Sequence, residues 1–263
     1  MNQYPEIDEV IQYIHKHLEE PLSLSHLARQ AAYSPYHFTR IFKERTGLSP
    51  HYYVSSLRLQ KAKELLLNTS FPIRDIGLEV GQQSLGTFTT RFTERVGMTP
   101  SQFRNSRLQV RSYLQTLKTV QTWQSLPEIE KPIQVVQGTI RSEVPFDGII
   151  LVGLFNKPIP EGLPLYGTLL ASVGDFRFTN VEQGTYYIMA TAVLWEMQDN
   201  EILLPNRTLR AKSNQSIIVQ PGGIIPHQRL TLRKPRLHDP PILTSLPLLM
   251  NSFLNRLSQD RKL

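Results

Sequence analysis

The sequence predicts a multidomain chain: an all-α domain of about seven helices built around two helix-turn-helix units, followed by an all-β sandwich domain. Three observations predict it. A stretch of 13 residues, FTRIFKERTGLSP at 38–50, recurs 50 positions later as FTTRFTERVGMTP at 88–100 with seven identities. Hydroxyl–proline pairs at Ser34–Pro35, Ser49–Pro50 and Thr99–Pro100 mark helix starts, a capping oxygen followed by a residue with preset φ. Beyond about residue 130, helical spacing gives way to period-two alternation punctuated by prolines.

Taken in order, Ile7, Val10, Ile11 and Ile14 recur at helical spacing, and Leu18 extends that stripe. Ser23 or Ser25 caps a short helix carrying Leu24, Leu27, Ala28 and Ala31. The three hydroxyl–proline pairs open helices at about 35–45, 50–67 and 100–108, and Phe71–Pro72 opens another short one. With a one-residue slip, Leu27–Ala28 lies over Ile76–Gly77 and Ala31–Ala32 over Val80–Gly81. Each copy is therefore a short helix, a turn and a longer helix stopped by Gly47 or Gly97. Residues 50–67 supply shared core through Tyr53, Leu57, Leu59, Ala62 and Leu65–Leu66.

The expected boundaries are a helical domain at 1–107, a helical linker at 108–129, a β-sandwich at 130–240 and an amphipathic segment at 241–263. Strands are expected at 133–141, 148–154, 165–171, 175–179, 184–194, 215–220 and 228–234. In the last segment Leu246, Leu249, Met250, Phe253, Leu254 and Leu257 form one stripe, suited either to oligomerisation or to packing on the chain's own sandwich.

Composition narrows the chemistry. Residues 1–107 hold 13 Lys and Arg against 10 Asp and Glu, and residues 108–263 hold 16 against 12. The basic excess, +7 in all, is thus spread over both halves and leans towards nucleic acid. The chain has no cysteine, which excludes disulfides, thiolate metal sites and cysteine nucleophiles together. The polar start of the sequence and the lack of a long apolar run lead us to expect a cytoplasmic protein without a signal peptide or membrane span.

Catalysis finds little support. His15 and His17 sit two apart and point to different helix faces, a poor metal pair. Acidic residues fall singly along the strands, and no glycine-rich phosphate loop or Gly-x-Ser-x-Gly is present. Tyr166, Phe176, Phe178, Tyr186, Tyr187 and Trp195 could stack on a sugar, but alternation assigns about half of them to core. No cofactor, no metal and no enzyme activity is expected.

Residues 5–106 resemble the AraC/XylS family of bacterial transcription activators, most recognisably in IRDIGLEVGQQSLGTFTTRFTERVGMTPSQFR. The resemblance implies two recognition helices, at 34–45 and about 83–96, reading adjacent major-groove segments of double-stranded DNA. On the first, Phe38, Ile41 and Phe42 take the inward spacing and Tyr36, His37, Thr39, Arg40 and Lys43 are free to face DNA. Arg40 is the expected base reader, since a guanidinium can bond guanine bidentately; Lys43 and Arg45 are expected on phosphates. On the second, Gln83, Ser84, Thr87, Thr90 and Arg91 are the expected contacts, with Arg95 at the backbone. Leu85 and Gly86 depart from the polar residues usual there, so the first unit is expected to supply most base discrimination. Helix starts at Ser49 and Thr99 are further phosphate seats.

The resemblance also implies RNA polymerase as a partner, and activation as the outcome. It leaves open a small-molecule effector, the oligomeric state, and an alternative role as an architectural, partner-docking DNA-binding protein. The known union of this reader with alkyl-transfer repair needs a nucleophilic cysteine, which the chain lacks. The second half, through Gly162, Pro164–Leu165, Gly167, Phe176, Phe178, Gly184 and Tyr186, resembles carboxypeptidase-regulatory or prealbumin-like sandwich domains.

Overall fold

A computed structural model describes residues 4–82, 84–120 and 134–260. The chain divides into two compact units: residues up to Arg104 together with Arg236–Leu243, and Asn105–Pro235 with Thr244 onward.

Among the described residues the regular elements of the first unit are all helices. Its elements are α1 (Pro5–Lys16), α2 (Leu24–Gln30), α3 (Pro35–Thr46), α4 (Pro50–Asn68), α5 (Ile73–Glu79), α6 (Leu85–Val96) and α7 (Pro100–Asn105). These are the seven helices that the periodicity predicts, and the repeat is reproduced in three dimensions. Phe38, Phe42 and Tyr53 pack in series at 5.4 Å between successive ring centroids, the second contact edge-on. Fifty positions on, Phe88, Phe92 and Phe103 repeat the arrangement at 5.7 Å, again with the second contact edge-on. All six rings are fully buried, so each copy contributes the same aromatic stack to its core. Helices α3 and α6 both stop at a left-handed glycine, Gly47 at φ 83° and Gly97 at φ 92°.

Helix α4, 19 residues long, packs on α3 and on α5. It spans ~28 Å at ~1.5 Å per residue. Its buried side chains include Tyr53, Val54, Ser56, Leu57, Leu59, Ala62 and Leu66, wrapping more than one face. That breadth fits a helix with a copy of the repeat on either side. Segment 236–243 completes this unit: the Tyr53 hydroxyl donates to the carbonyl of Leu237 at 3.3 Å. The wholly buried Lys63 ammonium donates to the carbonyls of Ile242 at 3.1 Å and Leu243 at 3.4 Å.

The second unit holds two sheets. One has the order β4 (Gly174–Phe178), β1 (Val136–Ser142), β8 (Gln228–Leu232). The other has the order β3 (Tyr166–Leu170), β2 (Gly148–Phe155), β5 (Gly184–Leu194), β6 (Arg210–Lys212), and β7 (Ile217–Val219) also pairs with β5. Val136, Ile140, Phe176, Phe178, Leu230 and Leu232 of the first sheet share one core with Ile150, Val152, Leu154, Tyr186, Ile188 and Ala192 of the second. Two sheets closed over one apolar layer make the expected sandwich. Strand β1 runs antiparallel to β4 and parallel to β8.

Three helices join this unit. α8 (Arg107–Thr119) packs on α9 (Asp199–Leu203) and α10 (Leu246–Asp260), and buries Val110, Leu114 and Leu117. The first part of the expected linker is therefore a packed element; residues 121–129 lie outside the described residues, as does Ile133 of the first expected strand. Stripe residues Leu246, Met250 and Phe253 are buried within the unit, where α10 meets α8, α9 and β3. Of the six aromatics considered for sugar stacking, Phe176, Phe178 and Tyr186 are core. Among the described residues no helix is long and apolar enough to cross a membrane.

Candidate nucleic-acid interface

Each of the two expected reading helices is held at both ends. The Ser34 hydroxyl accepts from the amide of His37 at 3.3 Å, and Pro35 fills the first helical position of α3. At α6 the Ser84 hydroxyl accepts from the amide of Thr87 at 3.2 Å and donates to the Thr87 hydroxyl at 2.9 Å. The buried rings fix one face of each helix, which leaves the opposite face to carry any contacts outward.

On α3 that outward face carries Tyr36, Arg40 and Lys43. Tyr36 is 85% exposed, its ring and hydroxyl both open to an outside contact. Arg40 pairs loosely with Glu44, at 3.9 Å across one helical turn, with both side chains about half exposed. A pair of that kind is worth well under ~1 kcal/mol and is readily exchanged for another acceptor. Lys43 is exposed. His37 is half-buried, its ring edge-on to Tyr33 at 4.7 Å, and the Thr39 hydroxyl donates to the Pro35 carbonyl at 2.8 Å. Both stay at the margin of the face with part of their bonding capacity used.

On α6, Thr87, Thr90 and Arg91 are exposed, and Arg91 donates to the side-chain oxygen of Gln82 at 3.1 Å. Leu85 is 46% exposed beside them. Gln83 lies outside the described residues.

Two of the expected phosphate contacts need correction. Arg45 turns inward to Asp8 of α1, with Nε 2.9 Å from Oδ1 and Nη2 2.7 Å from Oδ2, a bidentate pair. Arg95 is 9% exposed; it donates to Ser55 Oγ at 3.1 Å and Ser56 Oγ at 2.6 Å and lies 4.3 Å from the ring of Tyr52. The reason is helical phase. Arg45 falls seven residues after Phe38 and Arg95 seven after Phe88, so both continue the inward stripe. Each arginine, at equivalent places of the repeat, staples its own helix to an earlier long helix. The Thr99 seat is also occupied, because Gln102 Oε1 accepts from the Thr99 amide at 2.9 Å. Ser49, by contrast, makes no side-chain cap bond.

Sequence reasoning missed three further cations, all structural. Arg58 on α4 donates to the carbonyls of Leu18 at 3.1 Å and Glu20 at 2.8 Å. Arg104 donates to the carbonyls of Leu66 and Phe71. Lys63 sits four residues after Leu59 and three before Leu66, inside the apolar stripe of α4. That phase was the available signal. Among the described residues no group of three or more His, Cys, Asp or Glu side chains is placed to hold a metal ion.

Known proteins resemble the helical unit in sequence. A family described as a helix-turn-helix domain matches residues 27–106. An uncharacterized HTH-type transcriptional regulator, YobQ of Bacillus subtilis, is 38% identical over 96 residues, covering 36% of this chain and 40% of that protein. The right origin-binding protein of Escherichia coli is 37% identical over 106 residues, covering 40% of this chain and 37% of that one. The bifunctional transcriptional activator/DNA repair enzyme AdaA of Bacillus subtilis is 37% identical over 98 residues, covering 37% and 46%. The chain thus spans about two-fifths of the length of the curated relatives it matches. Among solved structures, an AraC-type transcriptional regulator from Chromobacterium violaceum aligns with TM-score 0.38 and 33% identity, over 40% of this chain and 94% of that one.

Proposed function

We propose that the chain, whose residues 27–106 match a family described as a helix-turn-helix domain, is a sequence-specific DNA-binding transcription regulator of AraC type, an activator, that inserts α3 and α6 into adjacent major-groove segments. The observation that carries this reading is the doubled construction. Two helices with the same caps, stops and buried aromatic stack flank one rod of ~28 Å, against a duplex repeat of ~34 Å. A repeat preserved to that degree suits a ligand that itself repeats. A single chain could then read two half-sites in tandem, without dimer symmetry.

In this reading Arg40 is the base reader, bidentate on guanine. Tyr36 and Lys43 flank it on base edges or phosphates, with His37 and Thr39 at the margin. On α6, Thr87, Thr90 and Arg91, with Ser84 and Gln83 at the helix start, grip mainly the phosphodiester backbone, since Leu85 and Gly86 offer no polar group to a base edge. Arg45 and Arg95 do not belong to this set. Partners are double-stranded DNA and, by the resemblance, RNA polymerase; a small-molecule effector and the oligomeric state stay open.

Selection of bound duplex from a random-sequence pool with the full chain tests the proposal. A regulator of this design enriches an asymmetric site of about 15–20 base pairs, two groove segments about one helical turn apart. Binding without any enriched sequence would favour an architectural role and overturn the proposal.

A further inference from the structure

We propose that the outward face of the sheet β4-β1-β8 is a second duplex-binding surface, on which Arg141, Arg177 and Arg229 each take a backbone phosphate. The inference rests on the DNA-binding reading above and extends it to the unit that contains no helix-turn-helix.

Strand alternation places these residues. In β1, Val136, Gly138 and Ile140 face the core, and Gln137, Thr139 and Arg141 alternate with them. In β4 and β8 the exposed alternates are Asp175 and Arg177, and Arg229 and Thr231. The register sets Arg177 beside Gln137, Asp175 and Arg229 on either side of Thr139, and Thr231 beside Arg141. The three arginines therefore occupy three different strands and three successive rows. With ~4.8 Å between strands and ~7 Å between alternate rows, neighbouring guanidinium stems stand ~8 Å or more apart. That spacing avoids direct like-charge opposition and lets each side chain reach a separate phosphate.

Asp175 is the carboxylate among the outward positions of these three strands, and the exposed Glu143 follows just past the end of β1. Asp175 Oδ1 accepts from the Thr139 hydroxyl at 2.6 Å, and His227 Nε2 lies 2.8 Å from that same hydroxyl, which is left to accept from it. No ion pair involving Arg141, Arg177 or Arg229 occurs among the described residues. Between the arginines lie Gln137 and Thr231, uncharged groups able to donate to phosphate oxygens, while the Thr139 hydroxyl proton is already given to Asp175.

The chemistry selects the occupant. A protein partner needs a desolvated apolar or aromatic anchor at the centre of its interface, and the outward positions of these three strands hold none. A polyanion needs only spaced cations and hydrogen-bond donors. Residues 108–263 carry 16 Lys and Arg against 12 Asp and Glu, so the second half is no less basic than the half with the reading helices. Duplex DNA is the polyanion that the chain already engages in this reading.

The test measures binding of the full chain to a random-sequence duplex as a function of salt. The variant Arg141→Gln/Arg177→Gln/Arg229→Gln should flatten the slope of log K against log salt by about 2.7, since each neutralised phosphate contributes ~0.9. The triple Arg→Lys variant should keep the wild-type slope, and the single variant Arg229→Gln should lower it by about 1. That single substitution gives the reading even if the triple Gln variant does not fold. An unchanged slope in the Gln variants overturns the surface. Sequence enrichment by the wild-type chain together with unchanged slopes sinks this inference alone. A flattened slope without enrichment sinks the regulator reading alone, and a wild-type chain that holds no duplex sinks both.

Discussion

The ammonium of Lys63 donates to the carbonyl oxygen of Ile242 at 3.1 Å, joining the middle of α4 to a residue 179 positions later. Both groups are buried, and the lysine's other polar contact is the Leu243 carbonyl at 3.4 Å. A cation in such a place has lost its water and gained two carbonyl dipoles and the face of Phe103, 5.4 Å away. Burial therefore lowers its pKa to about 7, with Glu64 pulling weakly the other way.

That depression predicts a pH dependence of stability. The unfolded chain keeps the Lys63 proton up to its ordinary pKa of 10.5, whereas the folded chain releases it near 7. Between those values the unfolded state binds more protons, so stability rises with pH, by up to ~1.4 kcal/mol per unit from this group. Below about 7 both states are protonated and the burial cost is fully in force. In Lys63→Met this contribution is absent. Urea unfolding of the two proteins at several pH values between about 7 and about 10 should show the wild type gaining steadily on the variant. Parallel profiles would mean that Lys63 keeps its charge throughout.

The correction at Arg45 and Arg95 separates stability from binding. Arg95→Ala takes a donor from Ser55 Oγ and from Ser56 Oγ, the latter keeping its own bond to the Tyr52 carbonyl, removes a cation from the face of Tyr52, and should cost about 2–3 kcal/mol of stability. Arg45→Ala leaves Asp8 without its bidentate partner and should cost about 1–3 kcal/mol. Arg40→Ala and Arg91→Ala, on exposed faces, should stay within about 0.5 kcal/mol of wild type while weakening DNA binding. Thermal melts and gel shifts on all four variants check this. Weakened binding in Arg95→Ala at unchanged melting temperature would return that residue to the interface.

How much of this was legible depends on the range of the interaction. Helix starts and stops are local chemistry, so Ser34–Pro35, Gly47 and Gly97 could be read directly, and a 50-residue repeat exposed the doubled unit without any structure. Strand alternation gave the sandwich for the same reason. What escaped was set by long-range contact or by shortness. Strand β6 has three residues and α9 five, too few to display a period. The return of segment 236–243 to the helical unit left no sign in a proline-rich stretch between a strand and a helix. The inward turn of Arg45 and Arg95 was readable in principle from their phase, but a charged residue in a reading helix was assigned outward by chemical type.

The turn of the first copy contains a strained residue. Ala32 stands at φ 56°, in the left-handed region, where the second copy has Gly81 at φ 76°. An L-residue there costs ~1–2 kcal/mol, while glycine returns part of that gain through its freer unfolded chain. Ala32→Gly should therefore stabilise the helical unit by about 0.5–1 kcal/mol, read from the urea midpoint at constant slope. A loss of stability would show that the alanine methyl makes a contact worth more than the strain.

Two glycines of the second copy should respond in opposite directions to the same change. A Cβ added at Gly77, on α5, would stand 3.1–3.3 Å from three atoms of Phe88. That ring is fully buried and locked against Phe92 at 5.7 Å, so it has little room to yield. Gly77→Ala should cost about 1–3 kcal/mol, the range for overpacking a filled core. At Gly86, on α6, a Cβ would meet nothing within 4 Å. Gly86→Ala should stabilise the helix, by roughly 0.5 kcal/mol because the position lies in the first turn, short of the ~1 kcal/mol of a helix interior. The comparison also bears on function, since Gly86 lies on the outward face and Gly77 does not. If α6 lies against the duplex, the new methyl at 86 should change DNA affinity in the more stable variant, whereas Gly77→Ala should change binding only as far as it unfolds the domain. Identical DNA binding by Gly86→Ala and wild type, at raised stability, would place that end of α6 away from the DNA.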